Sequence, residues 1–473
     1  MILAGLSITV RDFVLVRRFK PGNECLRLRQ LPMNPSGSQL ENLLLAVLIQ
    51  LIVILGAARL FGVLFRRFGQ PQVCGEIAAG LILGPSLFGR LFPGLFHSVF
   101  NPRVGLVFSM VSQIGLVLLL FLIGLEFDFS HLRAHAKKAL SISVAGIALP
   151  FALGLATARI LYPYVGKGID ERGFALFLAT AISITALPIL GRILIEFNLN
   201  RTRLGTLTLT AAAVDDVAGW TILAMVTAIV KSNFRPLQSA IMVVEIVGYA
   251  LIMILVIRPL LLRWIAHIRR KHQMELSLTH LAILLVVIFL SAVITNLIGI
   301  FSIFGGFIVG AILYDQADFR VAVAQRMRDF TTVFFLPIFF TYTGLRTDVG
   351  TMQGNHAWLL FGLVLAAAVV GKFGGCALAA RLSGFSTVDS CAVGVLMNTR
   401  ALMELVVVNI GLDFGLIPRN VFFMLVMMAV ITTYMTPPLL RLLLRSVELR
   451  TAFQESEFMR ERRKMEPSME PAA

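Results

Sequence analysis

From Glu41 to Arg445 the chain repeats one feature: an apolar stretch long enough to cross a bilayer, a short polar connection, and then another such stretch. A helix needs roughly 20 apolar residues to span the hydrocarbon, and backbone in that medium must find its hydrogen bonds internally, which leaves helices or closed barrels. Barrel strands alternate in polarity and these stretches do not. The chain therefore reads as an all-α polytopic membrane protein embedded in a lipid bilayer, as its 58% hydrophobic and 14% charged residues require. We count about thirteen spans, centred near residues 53, 81, 116, 150, 183, 217, 250, 287, 307, 336, 368, 400 and 431.

A net charge of +16 raises the question of nucleic acid. The Lys and Arg residues sit in the loops and tail, where the positive-inside rule places them, so no nucleic-acid partner is expected. Loops on the side of the tail hold the larger share of these cations, which puts the C-terminus in the cytoplasm, and the plasma membrane is the expected location. Three regions follow: an extension at 1–40, a transmembrane domain at 41–445 and a short tail at 446–473. The extension carries an apolar run followed by Arg17, Arg18 and Lys20, the reverse of a signal peptide, and is compatible with a mis-assigned start upstream of Met33. Cys25, Cys74, Cys376 and Cys391 show no paired spacing, so neither a disulfide framework nor a zinc site is expected.

An internal repeat organises the spans. Gly124-Leu125-Glu126-Phe127-Asp128 closes the third span as Gly344-Leu345-Arg346-Thr347-Asp348 closes the tenth. Gly75, Gly80 and Leu83 of the second correspond to Gly305, Gly310 and Leu313 of the ninth. Ser183-Ile184-Thr185-Ala186-Leu187 of the fifth has its counterpart in Met397-Asn398-Thr399-Arg400-Ala401-Leu402 of the twelfth. Six spans, a connecting seventh and six more give two repeats of inverted topology, an architecture that places binding sites at midplane between broken helices.

Asp215 and Asp216 stand at the centre of the sixth span, with no other ionisable residue between Arg203 and Lys231. Each costs roughly 2.5 to 3.5 kcal/mol to insert, a cost that argues for function. Adjacent helix positions diverge by about 100°, so the two carboxylates face different neighbours, and carboxyls so placed are candidates to exchange protons. Lys372, in the eleventh span, is expected to pair with a carboxylate, with snorkelling to the interface as the alternative. Thr180, Ser183, Thr185 and Pro188 make a helix-disrupting patch in the fifth span, where Pro188 frees the carbonyl near Ile184 and the hydroxyls can rebond backbone or coordinate an ion. In the twelfth, Asn398, Thr399, Arg400 and Glu404 do the same, and Arg400 and Glu404, four apart and able to bond along one helix face, read as balancing charge at the break. Arg192 and Glu196 read as a surface pair. Glu76 stays open between a cavity acid and a residue at the helix entrance.

These residues carry a resemblance. "SITALPILGRIL" followed by "AAAVDDVAGW", with "GEIAAGLILGPSLFG", "LFLIGLEFD", "FFLPIFFTYTGL" and "LMNTRALMELVVVNIGLDFGLI", resembles the monovalent cation:proton antiporter superfamily, type 2 branch, over residues 41 to 445. The resemblance implies two unwound helices that cross, in a core domain moving against a dimerisation domain in an elevator-like cycle, and hence a homodimer. It implies sodium or potassium and protons as substrates, Asp216 as the carboxylate that binds them, Lys372 as the partner of Asp215, and Thr185 at the crossing. Aspartate at 215 matches the electrogenic members. No cofactor is implied. The tail has no GxGxxG fingerprint, so nucleotide gating within the chain is not expected. A channel-like potassium efflux system on the same scaffold would not need a titrating pair with a lysine, and an ion sensor would need a signalling domain.

Overall fold

The computed structural model describes residues 37–100, 102–126, 132–165, 168–199, 202–231, 236–272 and 276–443. The expectations for 1–36 and 444–473, and for the side chains of Pro188, Arg192 and Glu196, lie outside the described residues. Ile49 begins the compact unit that holds everything discussed below; the unit before it contributes the opening turns of α1.

Among the described residues the secondary structure is helical, without strands. The helices that position the site are α1 (Gly37–Arg67), α2 (Gln72–Leu83), α3 (Pro102–Glu126), α4 (Leu132–Val165), α5 (Glu171–Ser183), α6 (Leu187–Glu196), α7 (Arg203–Lys231), α8 (Leu278–Ile298), α9 (Ser302–Ala311), α10 (Leu336–Leu345), α11 (Gly354–Leu382), α12 (Thr387–Met397), α13 (Leu402–Asp413) and α14 (Arg419–Leu443). Nine helices among the described residues are long and apolar enough to cross singly, and α12 with α13, bent by 41°, makes a tenth. The centres near 183, 307 and 336 fall on shorter segments: α5 with α6, the 10-residue α9, and α10 behind a π-helical turn at Thr331–Phe335. That turn lies just ahead of Pro337, whose missing N–H disfavours a regular ladder there.

Local chemistry explains where the broken helices begin. Asp170 caps α5 by accepting the N–H of Gly173 at 2.6 Å, and Ser386 caps α12 by accepting that of Asp389 at 3.1 Å. Pro188 stands in the first turn of α6, where a missing N–H leaves no bond unmade. The break itself, residues 184–186, precedes it.

The repeat has a packing counterpart. A β-carbon on Gly80 would lie 2.1 Å from the Thr341 carbonyl oxygen and 2.8 Å from the Gly344 Cα; one on Gly310 would lie 2.1 Å from the Phe121 carbonyl oxygen and 3.0 Å from the Gly124 carbonyl carbon. So α2 of the first repeat touches α10 of the second through Gly80 and Gly344, the repeat counterparts of Gly310 and Gly124, by which α9 of the second touches α3 of the first. The close approach of backbones without a hydrophobic drive between helices is what small residues in membrane spans permit.

Candidate functional site

The two breaks meet. The N–H of Ala186 donates to the carbonyl of Thr399 at 3.1 Å, and the Thr185 hydroxyl donates to the carbonyl of Met397 at 3.0 Å. Chain that has left the helix in one span is thus bonded by chain that has left it in the other, which satisfies groups no solvent can reach.

Charges are sorted about this crossing. The last carbonyls of α5 are orphaned by the break and carry the negative end of its dipole. That of Thr180 accepts the Ser183 hydroxyl at 2.9 Å, that of Ala181 accepts Arg400 Nη1 at 3.1 Å, and that of Ser183 accepts Lys372 Nζ at 2.6 Å. Two cations therefore close the end of α5. On the other side of the gap, the N–H of Thr185 donates to Asp215 Oδ2 at 3.1 Å, and the N–H of Leu187, first residue of α6, faces Asp216. The two carboxylates occupy the positive end of the second half-helix.

Asp215 and Lys372 form an ion pair at 2.7 Å with both side chains 0% exposed, so Lys372 does not snorkel. Ser143 of α4 donates to the other oxygen of Asp215 at 3.3 Å, which leaves that carboxylate bonded on both sides. Asp216 is in a different condition: it is equally buried, and its Oδ1 has no hydrogen-bond partner among the described residues. The divergence of adjacent helix positions produces this contrast, one acid turned to α4 and α11 and the other to the start of α6.

The remaining residues divide between bonding the break and balancing charge. Thr180 bonds back to the carbonyl of Leu176 at 2.7 Å, and Ser183 contributes its carbonyl to the lysine while its hydroxyl stays in its own turn. Thr399 supplies its carbonyl to the crossing and its hydroxyl to Thr436 at 3.3 Å. Asn398 is buried with Oδ1 unpartnered among the described residues. Arg400 and Glu404 do not share a helix face. Arg400 lies in the break, α13 starts at Leu402, and the guanidinium bonds the carbonyls of Ala181 and Ala368, with Glu404 Oε2 3.8 Å away. The expected charge balance at the break is thus present as an ion pair, although Arg400 reaches it from unwound backbone and not from the helix face of Glu404. Glu76 is buried in the second turn of α2 and receives Gln72 Nε2 at 2.7 Å.

Two contributors carried no warning in the sequence reading. Ser143 follows Ser141 in an ordinary apolar helix and has no spacing that distinguishes it. Thr433, which bonds Arg400 from α14, sits among Thr432, Thr436 and Pro437, a polar cluster that could have marked it. A cavity of about 230 Å³ lies among α3, α9, α10 and α13, crossed by an Arg346–Asp413 ion pair, and neither Asp215 nor Asp216 lines it.

Comparison with known proteins bears on what this geometry serves. A family model for the transmembrane region of sodium/hydrogen exchangers matches residues 51–445. The Na(+)/H(+) antiporter NhaS4 of Synechocystis is 40% identical over 406 residues, covering 84% of this chain and 97% of that protein. The K(+)/H(+) antiporter 1 of Saccharomyces cerevisiae is 32% identical over 420 residues, 87% of this chain but 48% of the yeast protein, so the chain spans about half the length of that relative. In fold, the chain is similar to the sodium proton antiporter MjNhaP1 of Methanocaldococcus jannaschii, with a TM-score of 0.64 at 14% identity over 85% of this chain and 99% of that one.

Proposed function

The chain belongs to the sodium/hydrogen exchanger family, and we propose from this that it is a secondary antiporter exchanging sodium or potassium for protons, with Asp216 as the carrier carboxylate. The observation that carries the assignment to Asp216 is its condition: a buried carboxylate with one oxygen unpartnered among the described residues, beside an equally buried one that is bonded on both sides. A proton or a dehydrated monovalent cation satisfies that oxygen, and both cannot do so at once. Competition for one carboxylate couples the two flows. Asp215 and Lys372 form the pair that opens as the cation arrives and closes as it leaves, with Thr185 and Ser183 holding the gap beside them.

In this reading α4 to α7 and α11 to α14 move as a core against the remaining helices, in an elevator-like cycle within a homodimer. The assembly lies in the plasma membrane with a cytoplasmic C-terminus. Residues 41–445 form the exchanging domain, with 1–40 an extension and 446–473 a tail. Two protons return for each cation, so one net charge crosses per cycle, worth about 2.3 kcal/mol per 100 mV.

The test uses purified protein in liposomes, a series of lithium, sodium, potassium and rubidium gradients, and an imposed potential. We expect cation-dependent proton flux whose reversal point moves with voltage, and less than about a tenth of it in Asp216→Asn, one order of magnitude being about 1.4 kcal/mol. Undiminished flux in that variant removes Asp216 from its role, and a reversal point indifferent to voltage removes the two-proton stoichiometry.

A further inference from the structure

The two broken helices correspond in the repeat but are held by different chemistry. Thr185 lies two residues before α6 begins at Leu187, and Arg400 two residues before α13 begins at Leu402. The N–H of Thr185 donates to Asp215 Oδ2 at 3.1 Å; the N–H of Arg400 donates to Thr433 Oγ1 at 3.1 Å. Asp215 is on α7 and Thr433 on α14, the last helices of their repeats, and the two pairs stand at nearly the same offset along the chain. Where the first repeat holds its break with a carboxylate, the second uses a hydroxyl.

Thr433 also donates to the carbonyl of Arg400, so one side chain satisfies both backbone groups of one residue. Its neighbours differ in degree. Thr432 returns its hydroxyl to the carbonyl of Met428 in its own helix, the ordinary habit of threonine in a membrane span, and Thr436 does so to Thr432 while also accepting the Thr399 hydroxyl at 3.3 Å, but neither bonds both backbone groups of one residue of the break. The second break has more to hold as well. It runs over 398–401, one residue longer than 184–186, and the extra residue is absorbed at Ala401 with φ 152° and ψ −84°. A residue with a β-carbon stays in such a conformation only when its surroundings over-determine it.

We propose that Thr433 is a positioning residue for the exchange, the uncharged counterpart of Asp215, which clamps the second break so that the carbonyls of Met397 and Thr399 stand where Thr185 and Ala186 need them. The inference rests on the antiport reading of the same site. Asp215 must lose and regain its lysine in every cycle, whereas a threonine hydroxyl does not titrate at any working pH. The second break therefore keeps its shape while the first responds, and the geometry around Asp216 is set by a group that takes no part in the charge movement.

Thr433→Val is close in volume and loses both bonds; Thr433→Ser keeps them; Thr433→Ala removes them without placing a second methyl against the backbone, and serves where the valine variant does not fold. Two readouts are taken in parallel, hydrogen–deuterium exchange of the peptides covering 398–401 and 184–186, and cation-dependent proton flux in liposomes. In the valine or alanine variant, exchange at both breaks accelerates about tenfold and the KM for the cation rises about tenfold, with kcat held within about twofold, while serine stays near wild type. Unchanged exchange at 398–401, or a fall in kcat with KM unmoved, overturns the proposal. If wild-type protein itself carries no cation-dependent flux, the antiport reading fails, and the exchange data still decide whether Thr433 holds the break.

Discussion

Separating Asp215 from Lys372 should cost more than removing both. Lys372→Gln leaves the carboxylate buried with the N–H of Thr185 at 3.1 Å and the hydroxyl of Ser143 at 3.3 Å, two neutral donors. Breaking a buried pair costs about 3 to 5 kcal/mol, and with those donors in place the lower end, about 3 kcal/mol, applies. Asp215→Asn leaves an ammonium with three N–H donors and neutral acceptors alone, the carbonyl of Ser183 at 2.6 Å and the introduced amide oxygen, so the upper end, about 5 kcal/mol, applies. Additivity would put the double variant about 8 kcal/mol below wild type. Without either charge to strand, it loses only charge-assisted bonds that an amide pair can partly replace, about 2 to 3 kcal/mol. The double variant should therefore melt above both single ones. The assay is a thermal melt in one detergent at one pH for the four proteins, with stabilities placed on a common scale. A double variant whose loss equals the sum of the single losses to within about 0.5 kcal/mol would refute the pairing argument.

Thr185→Val removes the hydroxyl bonded to Met397 but keeps the backbone N–H on Asp215, so the apparent affinity for the cation should fall about fivefold while the proton dependence is spared; an unchanged affinity in liposome flux assays would return Thr185 to a packing role. Gly310→Ala places a β-carbon 2.1 Å from the Phe121 carbonyl oxygen, which cannot swing aside as a side chain does, and should destabilise the protein in a thermal melt by more than the roughly 1 kcal/mol that alanine normally gains over glycine in a helix. Gly374→Ala, which meets nothing within 4 Å, is the control expected to show that gain.

How far the sequence carried can be judged from particular residues. The spans were legible because twenty consecutive apolar residues have one structural use, and the glycines of the repeat because close backbone contact admits no other residue: Gly80, Gly124, Gly310 and Gly344 are at the crossings. The second and third dimensions of the site were less so. That a lysine and an aspartate share the interior could be argued from insertion cost; that the lysine also closes the end of α5 required the neighbour relation of α5 and α11. The four-residue spacing of Arg400 and Glu404 did announce a charge pair at the break, at 3.8 Å, but not that Arg400 stands in unwound backbone ahead of the helix that carries Glu404. Ser143 and Thr433 act through helices distant in sequence, and a hydroxyl costs too little to insert to announce itself as the aspartates do.

The charges also say where voltage can act. With Lys372 protonated and Asp216 empty, the group of Asp215, Asp216 and Lys372 carries one net negative charge, and moving it through the hydrocarbon is opposed by the cost of any unbalanced ion there. A proton on Asp216 cancels that charge, so in the proposed cycle the proton-loaded core would move as a neutral body. A cation on Asp216 would cancel it as well if Lys372 kept its proton, and the exchange would then be one for one and blind to potential. In the proposed two-proton scheme the group gives up a second proton as the pair opens, and the cation-loaded group returns to one net negative charge. The electrical work then falls on the cation-loaded movement alone, about 2.3 kcal/mol per 100 mV across the full field. In the proposed scheme the Asp215–Lys372 contact is thus what distinguishes the two stoichiometries: it is closed at 2.7 Å while Asp216 has an oxygen unpartnered among the described residues, and its opening on the cation's arrival would be the step at which the second proton leaves.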